Sequence, residues 1–210
     1  MNTKVEEEKS ADIKLIIIGD AAVGKSKFIA RFLEDEYNSF RSSTKALDLY
    51  QKEMDVDGEK VTVDIYDTAG QEKYESLHAS YYFQAHACIM LFDVTRKATY
   101  TNLKKWHGEV KKYCENIPIV LVANKVDMNA SITRKNFKFA ENNNIPLYFT
   151  SCADGTNVVS VFREAVCLAV GHKRFGSKSI VDEALEILED QLFIKEKDSI
   201  DEKGNKDTKN

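Results

Sequence analysis

Gly19-Asp20-Ala21-Ala22-Val23-Gly24-Lys25-Ser26 is the stretch from which the fold is read. It fits G-x-x-x-x-G-K-[ST], a pattern that needs a strand before it and a helix after it. Residues 13–19 supply the strand, a short β-branched run that ends in glycine. Residues 26–33 supply the helix, with Phe28, Ile29, Phe32 and Leu33 at helical spacing. Small residues in such a loop let the backbone wrap a polyphosphate, so that successive N–H groups point at its oxygens. The helix N-terminus adds partial positive charge. Ala22, Val23, Gly24, Lys25, Ser26 and Lys27 form the expected binding run. Lys25 can reach the β- and γ-phosphates, and the Ser26 hydroxyl is a hard oxygen suited to Mg²⁺. Taken alone, this loop does not separate a GTPase from an ATPase or a nucleoside kinase.

Outward from the loop, strand and helix patterns alternate. Residues 47–55 and 60–67 flank Val56-Asp57-Gly58-Glu59, and an Asp-Gly between β-rich segments signals a hairpin. Residues 87–94 and 118–124 read as buried strands, with a helical pattern over 99–114 between them. A helix over 134–143, a short strand over 146–150 and a helix over 158–170 follow. The expected architecture is α/β: a P-loop NTPase fold, with a six-stranded, mostly parallel sheet, one antiparallel strand and about five flanking helices. The folded unit is expected over 12–172, after a disordered 1–11. Residues 173–194 read as a connector and an amphipathic helix, with Val181, Ala184, Leu185, Leu188 and Leu192 on one face. The charged tail 195–210 reads as disordered.

The chain has 210 residues and a formal net charge of -4, which argues against a nucleic-acid partner. Cys88, Cys114, Cys152 and Cys167 form no CxxC or Cys/His metal spacing, as expected of reduced thiols in a cytoplasmic protein. No apolar run approaches the roughly 20 residues of a membrane span. The last residues hold no cysteine for prenylation, and the second residue is Asn2 rather than glycine. No direct lipid anchor is expected.

Asp67-Thr68-Ala69-Gly70-Gln71 begins at the end of the third strand. Asp67 there can face the Mg²⁺ of the first loop, through a water. Gly70 lets its N–H approach a γ-phosphate oxygen, and Gln71 has the donor and acceptor that orienting an attacking water requires. Thr44, in the polar stretch Arg41-Ser42-Ser43-Thr44, offers a second hydroxyl to Mg²⁺ while a γ-phosphate is present; losing that phosphate releases the loop. Asn124-Lys125-Val126-Asp127 closes the fifth strand. An ionised Asp127 only accepts hydrogen bonds, and guanine presents two adjacent donors where adenine presents none. Asn124 can brace the loops and Lys125 can cover one face of the base. Backbone N–H groups of Ser151-Cys152-Ala153 can reach the guanine oxygen. In this order the motifs indicate GTP/GDP with Mg²⁺, and Gln71 as the catalytic residue.

Together they resemble the Ras superfamily over residues 12–172. The spacing from Lys25 to Thr44 matches that family's spacing to its switch threonine. By the same spacing Tyr37 stands where the family places an aromatic ring on the guanine. Asp67 through Tyr74 looks Rab-like. His78-Ala79-Ser80-Tyr81-Tyr82, Pro146-Leu147-Tyr148-Phe149 and Ala153-Asp154-Gly155-Thr156-Asn157 are similar to the Rab-like 2 family. The resemblance implies slow intrinsic hydrolysis, exchange and activating proteins, and effectors bound in the GTP state. It also implies intraflagellar transport trains and a centrosomal, basal-body recruiter as partners, and a place at the basal body and cilium or flagellum. The chain departs from the pattern in three places. Ala46 stands where many Rabs have glycine, so residues 45–50 suit ordinary Rab effectors poorly. Ser151-Cys152-Ala153 lacks the usual final lysine, and the tail lacks prenyl cysteines. Two rival readings have distinct signatures: a GTP-binding scaffold without hydrolysis, and a P-loop kinase, for which the core has no spare lid segment.

Overall fold

A computed structural model describes residues 11–34, 47–68, 81–114 and 116–175. The strands are β1 (Ile13–Ile18), β2 (Leu47–Val56), β3 (Glu59–Thr68), β4 (Ala87–Asp93), β5 (Ile119–Asn124) and β6 (Leu147–Thr150). They form one sheet in the order β2-β3-β1-β4-β5-β6. Only β2 and β3 pair antiparallel. The described helices are α1 (Lys25–Glu34), α2 (Lys97–Thr101), α3 (Leu103–Tyr113), α4 (Lys138–Asn143) and α5 (Val158–Phe175). The α/β architecture, the strand count and the single antiparallel strand agree with the sequence reading.

β1 is apolar almost throughout because both of its faces are covered, as in parallel sheets generally. Ile13, Leu15 and Ile17 join one core with α1 and α5, where Phe28, Phe32 and Phe162 pack. Ile16 and Ile18 face a second core with Leu103, Trp106, Val110 and Ala140. The β2–β3 hairpin turns at Asp57 and Gly58, with φ of 54° and 84°. Two left-handed residues give the turn whose twist matches its strands, and Asp55 Oδ1 accepts the Gly58 N–H at 3.0 Å.

Three helix readings need correction. The helix expected over 99–114 starts two residues earlier and is interrupted at Asn102, whose side chain is drawn away to Asp20, 2.8 Å off. The helix expected over 134–143 is a short 3-10 stretch (Ala130–Arg134), then an extended Phe137 and α4. Phe137 leaves the helical region because its ring fills a cluster with Phe92, Tyr100 and Phe149. The last helix runs five residues past 170, into the segment read as a connector, to Phe175. Gly171 does not stop it, since a helix interior tolerates one glycine at about 1 kcal/mol. The described residues up to Lys173 belong to one compact unit. The amphipathic segment 180–193 lies outside the described residues. Among the described residues no helix is long and apolar enough to cross a membrane.

The first peptide of β1 is tied to a histidine. His86 Nδ1 accepts the Lys14 N–H at 2.9 Å, which requires the neutral ring. Half-burial, then Lys173, His172 and Lys14, hold the His86 pKa below its ordinary value. A base whose folded pKa is lowered binds more protons when unfolded, so its contribution to stability is present above about pH 6.5 and fades as pH falls through the folded pKa. Denaturant unfolding between pH 7.5 and 5 should therefore show a stability loss on acidification that is shallower in His86→Gln, which retains an acceptor without the titration. An equally steep loss in the variant would assign the effect to other groups.

Candidate nucleotide site

Strand register gathers the motif residues at one edge of the sheet. Ile17 on β1 pairs with Asp67 on β3, Asp93 on β4 with Asn124 on β5, and Asn124 with Thr150 on β6. All lie at the carboxyl ends of the parallel strands, where β1 has neighbours reached in opposite directions. That crevice is where open α/β sheets bind ligands.

The phosphate loop has a backbone that only its own sequence permits. Gly19 and Gly24 have φ of 141° and 108°. A Cβ on Gly19 would sit 2.3 Å from the Leu91 carbonyl oxygen, and one on Gly24 2.5 Å from Asn124 Nδ2. Lys25 is 6% exposed. Its Nζ donates to the Gly19 and Asp20 carbonyls at 2.8 and 3.0 Å. Burial lowers its pKa to about 8, although Asp67 and Asp20 oppose the shift. A buried cation held by two neutral acceptors is a strong attractor for an anion. Beside it, the Ser26 hydroxyl donates to Asp67 Oδ2 at 2.5 Å. Asp67 Oδ1 is buried with no hydrogen-bond partner among the described residues. Burial raises the Asp67 pKa, while Ser26 and Lys25 pull it back down. A hydroxyl beside an unsatisfied buried carboxylate oxygen is a donor set that fits a hard divalent cation.

The base end is equally tied. Asn124 Nδ2 donates to the Val23 carbonyl at 2.9 Å, and its Oδ1 accepts from Thr150 Oγ1 at 3.1 Å. Lys125 takes a left-handed conformation, φ 69°. Its Nζ spans Ala22 O at 3.0 Å and Asp93 Oδ2 at 2.7 Å. Burial alone would raise the Asp93 pKa, but hydrogen bonds from Lys125, Thr95 and Arg96 hold it at about 2. Asp127 lies exposed on the 3-10 turn Val126–Met128. The Ser151 hydroxyl accepts the Ala153 and Asp154 N–H groups at 3.2 and 3.4 Å, shaping the last loop. The structure thus brings Ala22 through Lys27, Asp67, Asn124, Lys125, Asp127 and Ser151 through Ala153 to one edge. Tyr37, Thr44, Gly70 and Gln71 lie outside the described residues.

A cavity of about 630 Å³ lined by Ile117, Pro118, Ile145 and Pro146 lies where β5 and β6 begin, and it contains none of these residues.

A comparison with family models matches residues 14–170 to the Ras family. The chain belongs to the Ras superfamily, as a Rab-like GTPase. It is 48% identical to mouse Rab-like protein 2A over 210 residues, covering 98% of this chain and 94% of that protein. Human Rab-like protein 2B is 48% identical over 189 residues, or 90% and 82% of the two chains. The Ras-related protein Rab-1D of Dictyostelium discoideum is 39% identical over 153 residues, or 71% and 75%. GTP and GDP are the ligands of this superfamily, and GTP hydrolysis is its reaction.

In this Rab-like chain, Arg31 on α1 stands at a place the sequence reading missed. Its Nε donates to the Cys152 carbonyl at 3.0 Å and its Nη2 to the Ala153 carbonyl at 2.5 Å. It therefore braces the base loop that lacks the usual lysine. No motif flags Arg31, which is one of several charged residues on an ordinary amphipathic helix. No motif flags Arg96, Asn102 or Trp106 either.

Proposed function

We propose that this GTPase is a Mg²⁺-dependent switch that, in its GTP state, recruits effectors for ciliary and intraflagellar transport. One observation carries the nucleotide half of this reading: the buried Lys25 held by two carbonyls, next to Asp67 Oδ1, which is buried with no hydrogen-bond partner among the described residues. A polyphosphate gives Lys25 the anion that its burial calls for. Ser26, Asp67 and Thr44 would hold the metal, and Mg²⁺ bound there neutralises charge on the phosphate oxygens. Asp127 accepts the two guanine donors, with Asn124, Lys125 and Tyr37 around the base. Gln71 orients the attacking water, Gly70 reads the γ-phosphate, and an activating protein supplies speed.

The transport half rests on 48% identity to the Rab-like 2 proteins, whose family resemblance implies partners at the basal body and on transport trains. The GTP state would bring the chain to its site through a centrosomal recruiter.

Two variants test both halves. Gln71→Leu should slow single-turnover GTP hydrolysis at least tenfold. Ser26→Asn should weaken triphosphate and Mg²⁺ binding more than diphosphate binding. Pull-downs from ciliated cells should then recover transport-train proteins with Gln71→Leu and lose them with Ser26→Asn. Identical partners for the two variants would remove the switch. Equal hydrolysis by wild type and Gln71→Leu, both at the buffer rate, would leave a nucleotide-binding scaffold.

A further inference from the structure

The outer wall of the phosphate loop is held, carbonyl by carbonyl, by side chains from elsewhere in the fold. Lys125 donates to Ala22 O and Asn124 to Val23 O; both belong to the base motif. The Ala21 carbonyl is taken by a residue outside every motif. Arg96 Nη2 donates to it at 2.8 Å, while Arg96 Nε donates to Asp93 Oδ2 at 3.0 Å. Asp93 is 1% exposed and shares the same oxygen with Lys125. The Asp20 carboxylate is clamped on both oxygens, by Trp106 Nε1 at 2.7 Å and Asn102 Nδ2 at 2.8 Å.

A trans peptide is planar, and its N–H points opposite to its C=O. A carbonyl drawn outward therefore turns the next residue's N–H inward. By this geometry Arg96 sets the N–H of Ala22, as Lys125 sets that of Val23 and Asn124 that of Gly24. The setting matters because the loop does not relax here by itself. Ala22 has φ 59°, a left-handed conformation that a residue with a Cβ holds only when its surroundings impose it. Lys25 also holds the Gly19 and Asp20 carbonyls and has a third N–H left for a phosphate. Asn102 and Trp106 hold the Asp20 side chain on the far side of the same residue.

We propose that Arg96, with Asn102 and Trp106, is a positioning residue for the phosphate loop, acting on the β- and γ-phosphates of the nucleotide and not on the base. Arg96 works through the Ala21–Ala22 peptide, its guanidinium being engaged by Ala21 O and Asp93 Oδ2. It links the phosphate loop to Asp93, which also anchors Lys125, so the two ends of the site share one buried carboxylate. This inference rests on the phosphate-loop reading of residues 19–26.

The test separates phosphate from base. Full-length wild type, Arg96→Ala and Arg96→Lys are compared for release of a fluorescent GDP and a fluorescent GTP analogue, and for competition by unlabelled GDP and GMP. The side chain of Arg96 is 43% exposed, and Lys125 and Thr95 still hold Asp93 without it, so the alanine variant should fold, which its Tm checks. Losing one charge-assisted hydrogen bond should speed release of both analogues about tenfold and weaken GDP competition by a similar factor. GMP, which has the base and no β-phosphate, should compete within twofold of wild type. Arg96→Lys should restore part of the loss, because an ammonium reaches one of the two acceptors. Unchanged release, or equal losses for GMP and GDP, would overturn the proposal and leave Arg96 a surface ion pair. A wild-type protein that holds GDP no more tightly than GMP would overturn the phosphate-loop reading itself, and this proposal with it.

Discussion

Asp127→Asn should lower GDP affinity by about 10⁴ and create affinity for xanthosine diphosphate. The size comes from what the substitution leaves unpaired. A carboxylate accepts from both the N1–H and the 2-amino group of guanine. Asparagine turns one acceptor into a donor, which then faces the guanine amino group across a dry contact. Xanthine has a carbonyl at that position, so the same amide donor finds a partner. The effect should be confined to the base. Asp127 is exposed on its 3-10 turn, whereas the bracing of the loops is done by the buried Asn124 behind it. Tm without nucleotide should therefore stay within about 1 °C of wild type, as for a surface substitution. Competition binding with the two diphosphates measures the switch in preference. A GDP affinity within tenfold of wild type would mean that Asp127 does not read the base.

Phe162→Ala should cost about 3–5 kcal/mol of folding stability, the range for removing a buried aromatic ring. Phe162 on α5 is fully buried, with its ring stacked on two rings of α1. The ring centroids lie 3.9 Å from Phe32, at 8° between planes, and 5.1 Å from Phe28, at 21°. Truncation leaves a cavity between these helices that flat neighbouring rings fill poorly. For a domain of this size the loss lowers Tm by roughly 10 °C. α1 begins with Lys25 and Ser26, so the ring stack is also what seats the helix N-terminus at the phosphate end. Excess GDP should return part of the lost Tm by binding only the folded state. Melting at fixed GDP concentration measures the cost, and a fall of under 2 °C would show that α1 and α5 repack around the missing ring.

The motifs were legible in sequence because each is local. Gly19 and Gly24 are required by backbone angles and by close approach of Leu91 and Asn124, so their spacing survives as a readable pattern. Strand β1 was legible because both of its faces are apolar, and the hairpin because Asp57 and Gly58 both need positive φ. The helix boundaries were less so. Asn102 is an ordinary helical residue until Asp20 offers it a partner 82 positions away. Phe137 reads as helical until the rings of Phe92, Tyr100 and Phe149 draw it into the second core.

The sequence by itself determined the α/β alternation, the phosphate loop and the resemblance to the Ras superfamily, since each motif depends on residues a few positions apart. Only the tertiary structure decided what holds these loops in place. Arg31 reaches Cys152 and Ala153 across more than a hundred residues, and Arg96 reaches Ala21 across 75. A guanidinium that caps a distant carbonyl leaves no periodicity and no motif in the chain. Its role exists only once parallel strands have brought their carboxyl ends to one edge.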